Sequence, residues 1–455
     1  MIMNTIKQYL KQVNEVSHIT LNPNGPGSIR VHLIPPKKLK LGVSWVVILN
    51  GQDVLPLTTG WAILLREFIK TSIDYDGVVL SNTDYDVLIT KTIENVNKVF
   101  PKTDKAMLIK DLHEILSILR DVAKGKRITA NIGYMTLDKY ARYMTAPHRM
   151  DIMVSSMHKN GKWHCNQKCL HCYASCQEMA IAKELSTDEW KSIIDKCKEA
   201  NISQLTFTGG EPTLREDLPE LINHAAWFVT RLNTNGVLLT KELCEKLKDA
   251  SLDSVQVTLY SYDEQIHNTL VGAHNFNKTV EGIQNAIDAG LNVSINTPLC
   301  KLNSDYQKTI EFAQSLGVIY YSCSGLIMTG KSIEEQALDT YLSKDDLYQV
   351  LTDAVTYCHE NGLEISFTSP GWITGEKLRK LKLVIPSCGA CLSNMAIAPD
   401  GTVVPCQSWL DEYKLGNMLT DSWKEIWNNK TTKQLRKNTC KYQRICPLAE
   451  RRGDK

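Results

Sequence analysis

Residues 163–174 place three cysteines in one short stretch. The sequence there is Trp163-His164-Cys165-Asn166-Gln167-Lys168-Cys169-Leu170-His171-Cys172-Tyr173-Ala174. Three thiolates at this spacing can ligate three irons of a cubane and leave the fourth iron without a protein ligand. An open iron can bind a cofactor directly, which separates a catalytic cluster from an electron-transfer cluster. The alternative is a zinc site, because His171 or Cys176 could supply the fourth ligand that structural zinc requires.

A second stretch joins the end of an apolar run to a turn with two glycines. Residues 205–212 read Leu205-Thr206-Phe207-Thr208-Gly209-Gly210-Glu211-Pro212. Glycines allow a backbone to approach a ligand closely, and Glu211 adds a carboxylate beside them. A glycine pair at the end of a strand usually marks only a turn, so its meaning depends on the cysteines that precede it.

Strand and helix patterns alternate over residues 150–370. Strands are predicted at Gln204–Thr208, Thr230–Asn233, Ser254–Tyr260, Asn292–Thr297, Val318–Cys323 and Glu364–Thr368. Helices are predicted between them, at Asp188–Ala200, Leu218–Ala226, Lys241–Asp249, Asn277–Ala289, Asp305–Leu316 and Lys344–Asn361. This repeat predicts a parallel α/β sheet or barrel with its active residues at the carboxyl ends of the strands.

The cysteine stretch and the Gly209–Pro212 turn together resemble the radical S-adenosylmethionine (SAM) superfamily. The resemblance implies a partial (β/α)6, TIM-like barrel and a [4Fe–4S] cluster held by Cys165, Cys169 and Cys172, with SAM on the open iron. It also implies a set of cofactor-binding residues, namely Tyr173, Gly209, Gly210, Glu211, Pro212, Asn235, Thr258, Ser261 and Asn296. Val271 stands where many relatives carry an arginine, which is a departure from the family's pattern.

A second group of cysteines lies near the end of the chain. Cys388 and Cys391 precede Cys406, and Asp400-Gly401 between two apolar runs indicates a hairpin. The hairpin is expected to bring Cys391 and Cys406 together. The pattern resembles the SPASM or Twitch extension of radical SAM enzymes, whose hairpin holds an auxiliary iron–sulfur cluster.

Lys437 and Glu450 stand where a full SPASM pattern has two more cysteines. Five cysteines cannot supply eight ligands, so we expect one auxiliary [4Fe–4S] cluster. Its expected ligands are Cys388, Cys391 and Cys406, with either Cys440 or Cys446 as the fourth. A zinc site is the alternative here as well.

The front of the chain contains no cysteine and predicts a small α+β module. Two strands and two helices are predicted at Val43–Leu49, Gln52–Leu57, Trp61–Ile69 and Lys105–Ala123. Asn50-Gly51 is a hairpin signal and Gly125 would end the last helix. The module is weakly similar to the peptide-recognising (RRE-like) domain fused to peptide maturases, which would bind a leader peptide by adding a strand to a sheet edge; the alternative is a scaffold.

Composition predicts a soluble, cytoplasmic protein of several domains. The 455 residues are 43% hydrophobic and 22% charged with a net charge of +2, which gives no electrostatic case for nucleic acid or an anionic membrane. The start lacks the apolar core of an export signal, so the 14 cysteines indicate metal ligands rather than disulfides. We expect a front module over 1–125, a linker over 126–150, the barrel over 151–370 and a cysteine-rich iron–sulfur extension over 371–455.

The resemblance implies an enzyme that cleaves SAM reductively to a 5′-deoxyadenosyl radical. Its expected partners are a ribosomally made precursor peptide, on which it forms a thioether or carbon–carbon crosslink, and a flavodoxin- or ferredoxin-type reductant. Epimerisation, formylglycine-type oxidation and small-molecule chemistry such as decarboxylation stay open. Cys323, at the end of a predicted strand, is a candidate hydrogen donor for epimerisation, the alternative being a buried inert thiol. A different class, an iron–sulfur electron-transfer protein, fits Gly209–Pro212 and the open three-cysteine site less well.

Overall fold

The computed structural model describes residues 9, 16–21, 29–35, 45–50, 53–75, 78–123, 144–442 and 444–448. The chain divides into two compact units, Met1–His148 and Arg149–Lys455. Most of the expected linker, together with Gly51 and Gly125, lies outside the described residues. No helix in the described ranges has the length and apolarity that a membrane span requires.

In its described residues, the front unit is an antiparallel sheet with helices packed against it. Its strands are β1 (Ser17–Leu21), β2 (Ile29–Ile34), β3 (Trp45–Leu49) and β4 (Asp53–Leu57), hydrogen-bonded in that order. Its helices are α1 (Thr59–Thr71), α2 (Asn82–Val99) and α3 (Lys105–Ala123). Both β2 and β3 are buried throughout. The alternate residues Val31, Leu33, Val47 and Leu49 share one hydrophobic core with side chains of the helices. The two strands and two helices predicted from the sequence are all present.

The second unit is built on parallel strands joined by helices. Its main strands are β5 (Arg149–Ser155), β8 (Gln204–Gly209), β9 (Val229–Thr234), β10 (Ser254–Thr258), β11 (Asn292–Pro298), β12 (Tyr320–Ser324) and β13 (Glu364–Phe367). A small hairpin, β6 (His158–Lys159) and β7 (Lys162–Trp163), lies between the first two. The helices are α4 (Thr187–Glu199), α5 (Leu218–His224), α6 (Lys241–Asp249), α7 (Glu264–Val271), α8 (Phe276–Asp288), α9 (Tyr306–Ser315), α10 (Glu335–Leu338) and α11 (Lys344–Glu360).

These seven strands pair in chain order, each parallel to the next. The prediction of a partial (β/α)6 barrel is therefore confirmed, with β13 as an additional edge strand. Val255, Val257 and Ile295 are fully buried, whereas Gln256 and Asn296, which alternate with them, are only partly buried. The apolar set faces the helices, so the opposite, inner face of the barrel is polar.

The C-terminal segment continues the barrel sheet. It contains α12 (Gly375–Lys380), β14 (Asn394–Ile397), β15 (Val403–Val404), α13 (Trp423–Asn428) and α14 (Lys430–Lys441). β14 pairs in parallel with β5 and antiparallel with β15. The hairpin predicted at Asp400-Gly401 is confirmed, and Gly401 takes a φ of +86° that favours glycine. Residues from 371 onward belong to the same compact unit as the barrel.

Candidate active site

The first cysteine loop is held on one side by the end of α7. The N–H groups of Lys168 and Leu170 donate to the carbonyls of Val271 and Leu270, at 2.9 and 2.8 Å. A Cβ on Gly272 would lie 2.6 Å from the carbonyl oxygen of Lys168, and its φ is +61°. Val271, where the chain departs from the family's pattern, therefore supports the loop through its backbone.

On the other side, the loop is held by the segment after β12. The Lys331 N–H donates to the Cys172 carbonyl at 3.0 Å. A Cβ on Gly330 would lie 2.4 Å from the Tyr173 carbonyl oxygen and 2.5 Å from that of Cys172. The Lys331 ammonium lies 5.4 Å from the centroid of the Trp163 ring. These residues are distant in sequence from the cysteines, and no motif marked them.

The three thiols of this loop interact with one another. The Cys165 Sγ donates to the Gly210 carbonyl at 3.3 Å. Burial, together with the charges of Glu211 and Cys172, raises the pKa of Cys165 to about 12. Burial likewise raises the pKa of Cys169 well above its usual range, with Cys172 and Cys165 adding to the effect. A positive charge at this loop would therefore favour all three thiolates together.

The donor set of the loop fits a cluster of thiolate-bound irons. Across the ranges that the structure describes, no three His, Cys, Asp or Glu side chains already converge as metal ligands would. The fit rests on chemistry, because three soft thiols share one loop. Burial raises the pKa of Cys169 and Cys172, and the Lys331 charge offsets part of that rise. The two residues considered as a fourth zinc ligand lie in different environments. His171 Nε2 is 2.7 Å from the Thr340 hydroxyl, and Cys176 is exposed.

The two glycines after β8 are required by a close approach to β5. A Cβ on Gly209, whose φ is +145°, would lie 2.3 Å from the Ser155 carbonyl oxygen. The Gly210 N–H donates to the same oxygen at 2.9 Å, and the Glu211 N–H donates to the Ser155 hydroxyl at 3.1 Å. Pro212 begins a short 3-10 helix. The two glycines thus admit the backbone of the neighbouring strand, and their predicted contact with a ligand stays a prediction.

Glu211 joins the ends of β8 and β9. Its Oε1 accepts hydrogen bonds from the Thr213 N–H at 3.0 Å, the Thr213 hydroxyl at 2.6 Å and the Thr234 hydroxyl at 2.6 Å. Among the described residues, its Oε2 accepts one hydrogen bond, from the Asn235 N–H at 2.8 Å. A carboxylate oxygen can accept two such bonds, so Oε2 can take one more donor, such as an ammonium group. The Asn235 amide in turn donates to Asn166 Oδ1 at 2.6 Å, which ties this strand end to the cysteine loop.

Two further predicted residues lie on the fourth and fifth barrel strands, and a third lies in the turn after the fourth strand. Thr258 and Asn296 are paired in the β10–β11 register on the polar face. Asn296 Oδ1 accepts a hydrogen bond from the Ser322 hydroxyl at 3.0 Å. Thr258 and Asn296 therefore line the barrel interior. The Ser261 hydroxyl accepts the Asp263 N–H at 3.1 Å, within the turn that precedes α7. The structure therefore gives Ser261 a local structural contact.

Cys323 faces the helices rather than the barrel interior. Its side chain is fully buried, and its Sγ donates to the Ser366 carbonyl at 3.7 Å. It alternates with Ser322, which points into the interior, and its thiol interacts electrostatically with Cys358 and Tyr306 on the helical layer. Strand alternation turns the Cys323 thiol away from the barrel interior, which does not favour it as a hydrogen donor to a substrate there, and its role as a donor stays a prediction.

The C-terminal cysteines also lie in one neighbourhood. The Cys391 N–H donates to the Pro405 carbonyl at 3.2 Å, next to Cys406, as the hairpin predicted. Burial raises the pKa of Cys406, and Cys446 and Cys388 raise it further. Cys406 thus interacts with Cys388, which precedes the hairpin in the chain, and with Cys446, which follows it.

Helix α14 packs on the loop that carries Cys388 and Cys391. The Thr439 hydroxyl donates to the Ala390 carbonyl at 2.8 Å. Arg436, one turn earlier, interacts electrostatically with Cys391 and Cys440. No motif in the sequence singled out this arginine.

Tyr173 lies between the two groups of cysteines. Burial raises its pKa, and Cys172, Asp151 and Cys406 raise it further. Asp151, on β5, is 1% exposed, and its Oδ1 is 3.1 Å from the Arg149 Nε. No sequence pattern marked this pair of a buried aspartate and a partly exposed arginine, because β5 itself was not predicted.

Comparisons with known proteins agree with this geometry. Residues 164–313 match the model of the radical SAM superfamily, and residues 388–448 match the model of SPASM, an iron–sulfur cluster-binding domain. The chain is 28% identical over 314 residues to an AdoMet-dependent heme synthase of Methanosarcina barkeri, covering 62% of this chain and 87% of that protein. It is 27% identical over 276 residues to a PqqA peptide cyclase of Bradyrhizobium diazoefficiens, covering 58% and 70%.

A solved structure shares the fold over nearly the whole chain. It is Streptococcus suis SuiB bound to the precursor peptide SuiA, with a TM-score of 0.61 and 14% identity. The likeness covers 91% of this chain and 95% of that one. Arg149–Lys455 makes up only about two thirds of the chain, so the shared fold extends into the front unit.

Proposed function

We propose, from the membership of this chain in the radical SAM superfamily and its SPASM iron–sulfur domain, that it crosslinks a ribosomally made precursor peptide through a thioether or a carbon–carbon bond. The enzyme uses SAM and a [4Fe–4S] cluster, and its SPASM domain binds iron–sulfur. We assign the first cluster to Cys165, Cys169 and Cys172. We assign the auxiliary cluster to Cys388, Cys391 and Cys406, with Cys446 as the fourth ligand because it interacts with Cys406.

When bound, these groups supply a 5′-deoxyadenosyl radical that removes one hydrogen atom from the substrate, and an acceptor for the electron that crosslinking releases. The protein holds the loop of the three thiols at one end of the barrel by backbone hydrogen bonds, to the Val271 carbonyl and from the Lys331 N–H. Apolar side chains, among them Met153 and Met157, pack against the loop and exclude water from it. Glu211 keeps one acceptor position on Oε2 for the SAM amino group.

The extent of the shared fold supports a peptide substrate. The likeness to a structure that holds its precursor peptide continues beyond the barrel and the SPASM segment into the front unit. A relative named as a peptide cyclase supports the same substrate class. The front unit has the sheet that leader-peptide binding by strand addition needs, and we assign it this role, with its domain bounds at 1–125.

Small-molecule chemistry is the second candidate. It is favoured by the heme synthase relative, of which the alignment covers 87%. The relevant test compares a peptide with a porphyrin carboxylate as substrate. A decarboxylated porphyrin and an unchanged peptide would replace the first proposal with the second.

The decisive experiment is co-expression with a short reading frame that lies next to the gene and encodes a precursor peptide. A crosslink requires the peptide to lose two hydrogens, which mass spectrometry detects. Oxidation of a side chain also removes two hydrogens, so fragmentation of the product must show that two residues are joined. Cys169→Ala should abolish both this loss and 5′-deoxyadenosine formation, whereas Cys176→Ala, which removes an exposed thiol of the same loop, should preserve both. An unchanged mass with deuterium uptake would mean epimerisation and would overturn the crosslinking proposal.

The electron for SAM cleavage must come from outside the chain. We propose a flavodoxin- or ferredoxin-type donor and a cytoplasmic location, where thiols stay reduced. Supplying a purified flavodoxin system in place of dithionite should sustain 5′-deoxyadenosine formation, and its failure with several such donors would reject this partner class.

A further inference from the structure

Arg436 carries a buried donor that has no acceptor. Its Cζ lies 3.8 Å from the centroid of the Trp427 ring, and its Nη2 donates to the Trp427 carbonyl at 3.1 Å. These two contacts fix the plane of the guanidinium. Its Nη1 is buried and finds no hydrogen-bond partner in the described parts of the chain.

The charge of Arg436 is directed at the C-terminal cysteines. It interacts with Cys391, which is fully buried, and with Cys440. Thr439, three residues along the same helix, holds α14 on the loop of Cys391 through the Ala390 carbonyl. The orphan donor and the thiols therefore share one buried neighbourhood.

We propose that Nη1 of Arg436 donates a hydrogen bond to a sulfur of the auxiliary iron–sulfur cluster and thereby raises the reduction potential of that cluster. A thiolate or sulfide is an anionic acceptor, so the bond is charge-assisted. Reduction adds one negative charge to the cluster, and a fixed cation with an N–H directed at its sulfur stabilises the reduced form more than the oxidised form. The inference rests on the auxiliary cluster alone and is independent of the substrate.

A purely structural role would leave Nη1 unexplained. Stacking on Trp427 uses the face of the guanidinium, and the Trp427 carbonyl uses Nη2. Neither contact uses Nη1. The observation that needs a ligand is the buried, unpartnered donor beside Cys391.

The test compares Arg436→Gln and Arg436→Lys with Lys433→Gln, a control that removes one exposed positive charge from the same helix. The variants are made with Cys165, Cys169 and Cys172 replaced by alanine, so that only the auxiliary cluster assembles, and the potential is measured by EPR-monitored redox titration. Arg436→Gln should lower the ratio of reduced to oxidised cluster at fixed potential at least tenfold, which is 59 mV for a one-electron couple. The reduction potential of Arg436→Lys should lie between those of the parent and Arg436→Gln, and the potential of Lys433→Gln should match that of the parent.

A second measurement uses the parent protein and does not depend on how the variants fold. With ¹⁵N-labelled arginine, pulsed EPR of the reduced auxiliary cluster should show a ¹⁵N coupling that Arg436→Lys lacks. Equal potentials for Arg436→Gln and Lys433→Gln, or no ¹⁵N coupling in the parent, would overturn the inference. Failure of the proposed peptide chemistry would appear instead as an unmodified peptide with the potential shift intact.

Discussion

The Tyr173 hydroxyl lies 3.5 Å from Gln407 Oε1 and donates a long hydrogen bond to it. This contact joins the residue after Cys172 to the residue after Cys406, although 234 positions separate Tyr173 and Gln407 along the chain. Gln177 adds two hydrogen bonds to the same segment, at 3.2 and 2.9 Å. The two cysteine-bearing loops are therefore one packed structure, with an aromatic ring between them.

We predict that Tyr173→Leu uncouples SAM cleavage from product formation. Removal of the ring loosens the packing between the loops, so product per 5′-deoxyadenosine should fall several-fold, whereas Tyr173→Phe should stay near the parent because it loses only a long bond. Both quantities are measured in one assay by chromatography. Tyr442→Leu, at an exposed tyrosine, is the control. Equal ratios in Tyr173→Leu and the parent would contradict the prediction.

Gly209→Ala should destabilise the second unit strongly. The added Cβ would lie 2.3 Å from backbone of β5, at a φ that L-residues rarely adopt. We expect a loss on the order of 3 kcal/mol or more, measured by denaturant unfolding. Gly60→Ala, at a helical glycine with open space around its Cβ position, should change the stability by less than about 1 kcal/mol. Similar midpoints for the two variants would be inconsistent with this account.

Glu211→Gln tests the carboxylate that links β8 to β9. Glu211 is the acceptor in all four of its hydrogen bonds. In either orientation, the amide nitrogen that the substitution introduces would face an N–H or O–H donor, which costs about 1–3 kcal/mol of stability. We expect 5′-deoxyadenosine formation to fall at least tenfold. Glu216→Gln, at an exposed glutamate of the same turn region, should keep both stability and cleavage. Cleavage at the parent rate in Glu211→Gln would show that the carboxylate is dispensable.

Sequence patterns were sufficient where local chemistry decides the structure. Asp400-Gly401 predicted the hairpin because a glycine with positive φ closes such turns, and the structure has φ +86° there. Apolar alternation likewise predicted β10, since Val255 and Val257 are both fully buried. In contrast, β5 was missed because Arg149 and Asp151 interrupt its apolar pattern. Those charges are tolerated since they face a polar barrel interior.

Contacts between distant segments could not be predicted from the chain alone. Lys331 supports Cys172 through a backbone hydrogen bond, which depends on tertiary packing and leaves no local signature. The orientation of Cys323 is similar: alternation places Ser322 and Cys323 on opposite faces but does not say which is inward. The bond between Ser322 and Asn296 settles that orientation.

Because the thiol of Cys323 faces the helices, we predict that Cys323→Ala keeps both 5′-deoxyadenosine formation and product. The expected cost is only in stability, on the order of 1 kcal/mol, for one lost buried sulfur. Cys169→Ala should abolish both activities in the same assay. A Cys323→Ala enzyme that cleaves SAM normally but makes no product, or product lacking solvent deuterium, would restore the hydrogen-donor hypothesis.

His267 provides a pH-dependent contribution to stability. Its side chain is fully buried, its Nδ1 accepts the Tyr260 N–H at 3.4 Å, and its ring centroid lies 5.4 Å from that of Phe276. Burial lowers its pKa to about 4. The ring is therefore neutral in the folded protein at any pH above that value.

Since this folded pKa lies below the unfolded value of about 6.5, the unfolded chain binds more protons between pH 4 and 6.5. Stability is then complete above pH 6.5 and falls as the pH drops towards 4, with a loss from this residue of roughly 1.4 kcal/mol at pH 5.5. In His267→Gln the amide oxygen can still accept the Tyr260 N–H but does not titrate. Denaturant unfolding of the metal-free protein at pH 7.5 and 5.5 should therefore show a smaller pH-dependent loss in the variant, by about that amount. An equal loss in both proteins would mean that His267 is already protonated, or accessible to solvent, in the folded state.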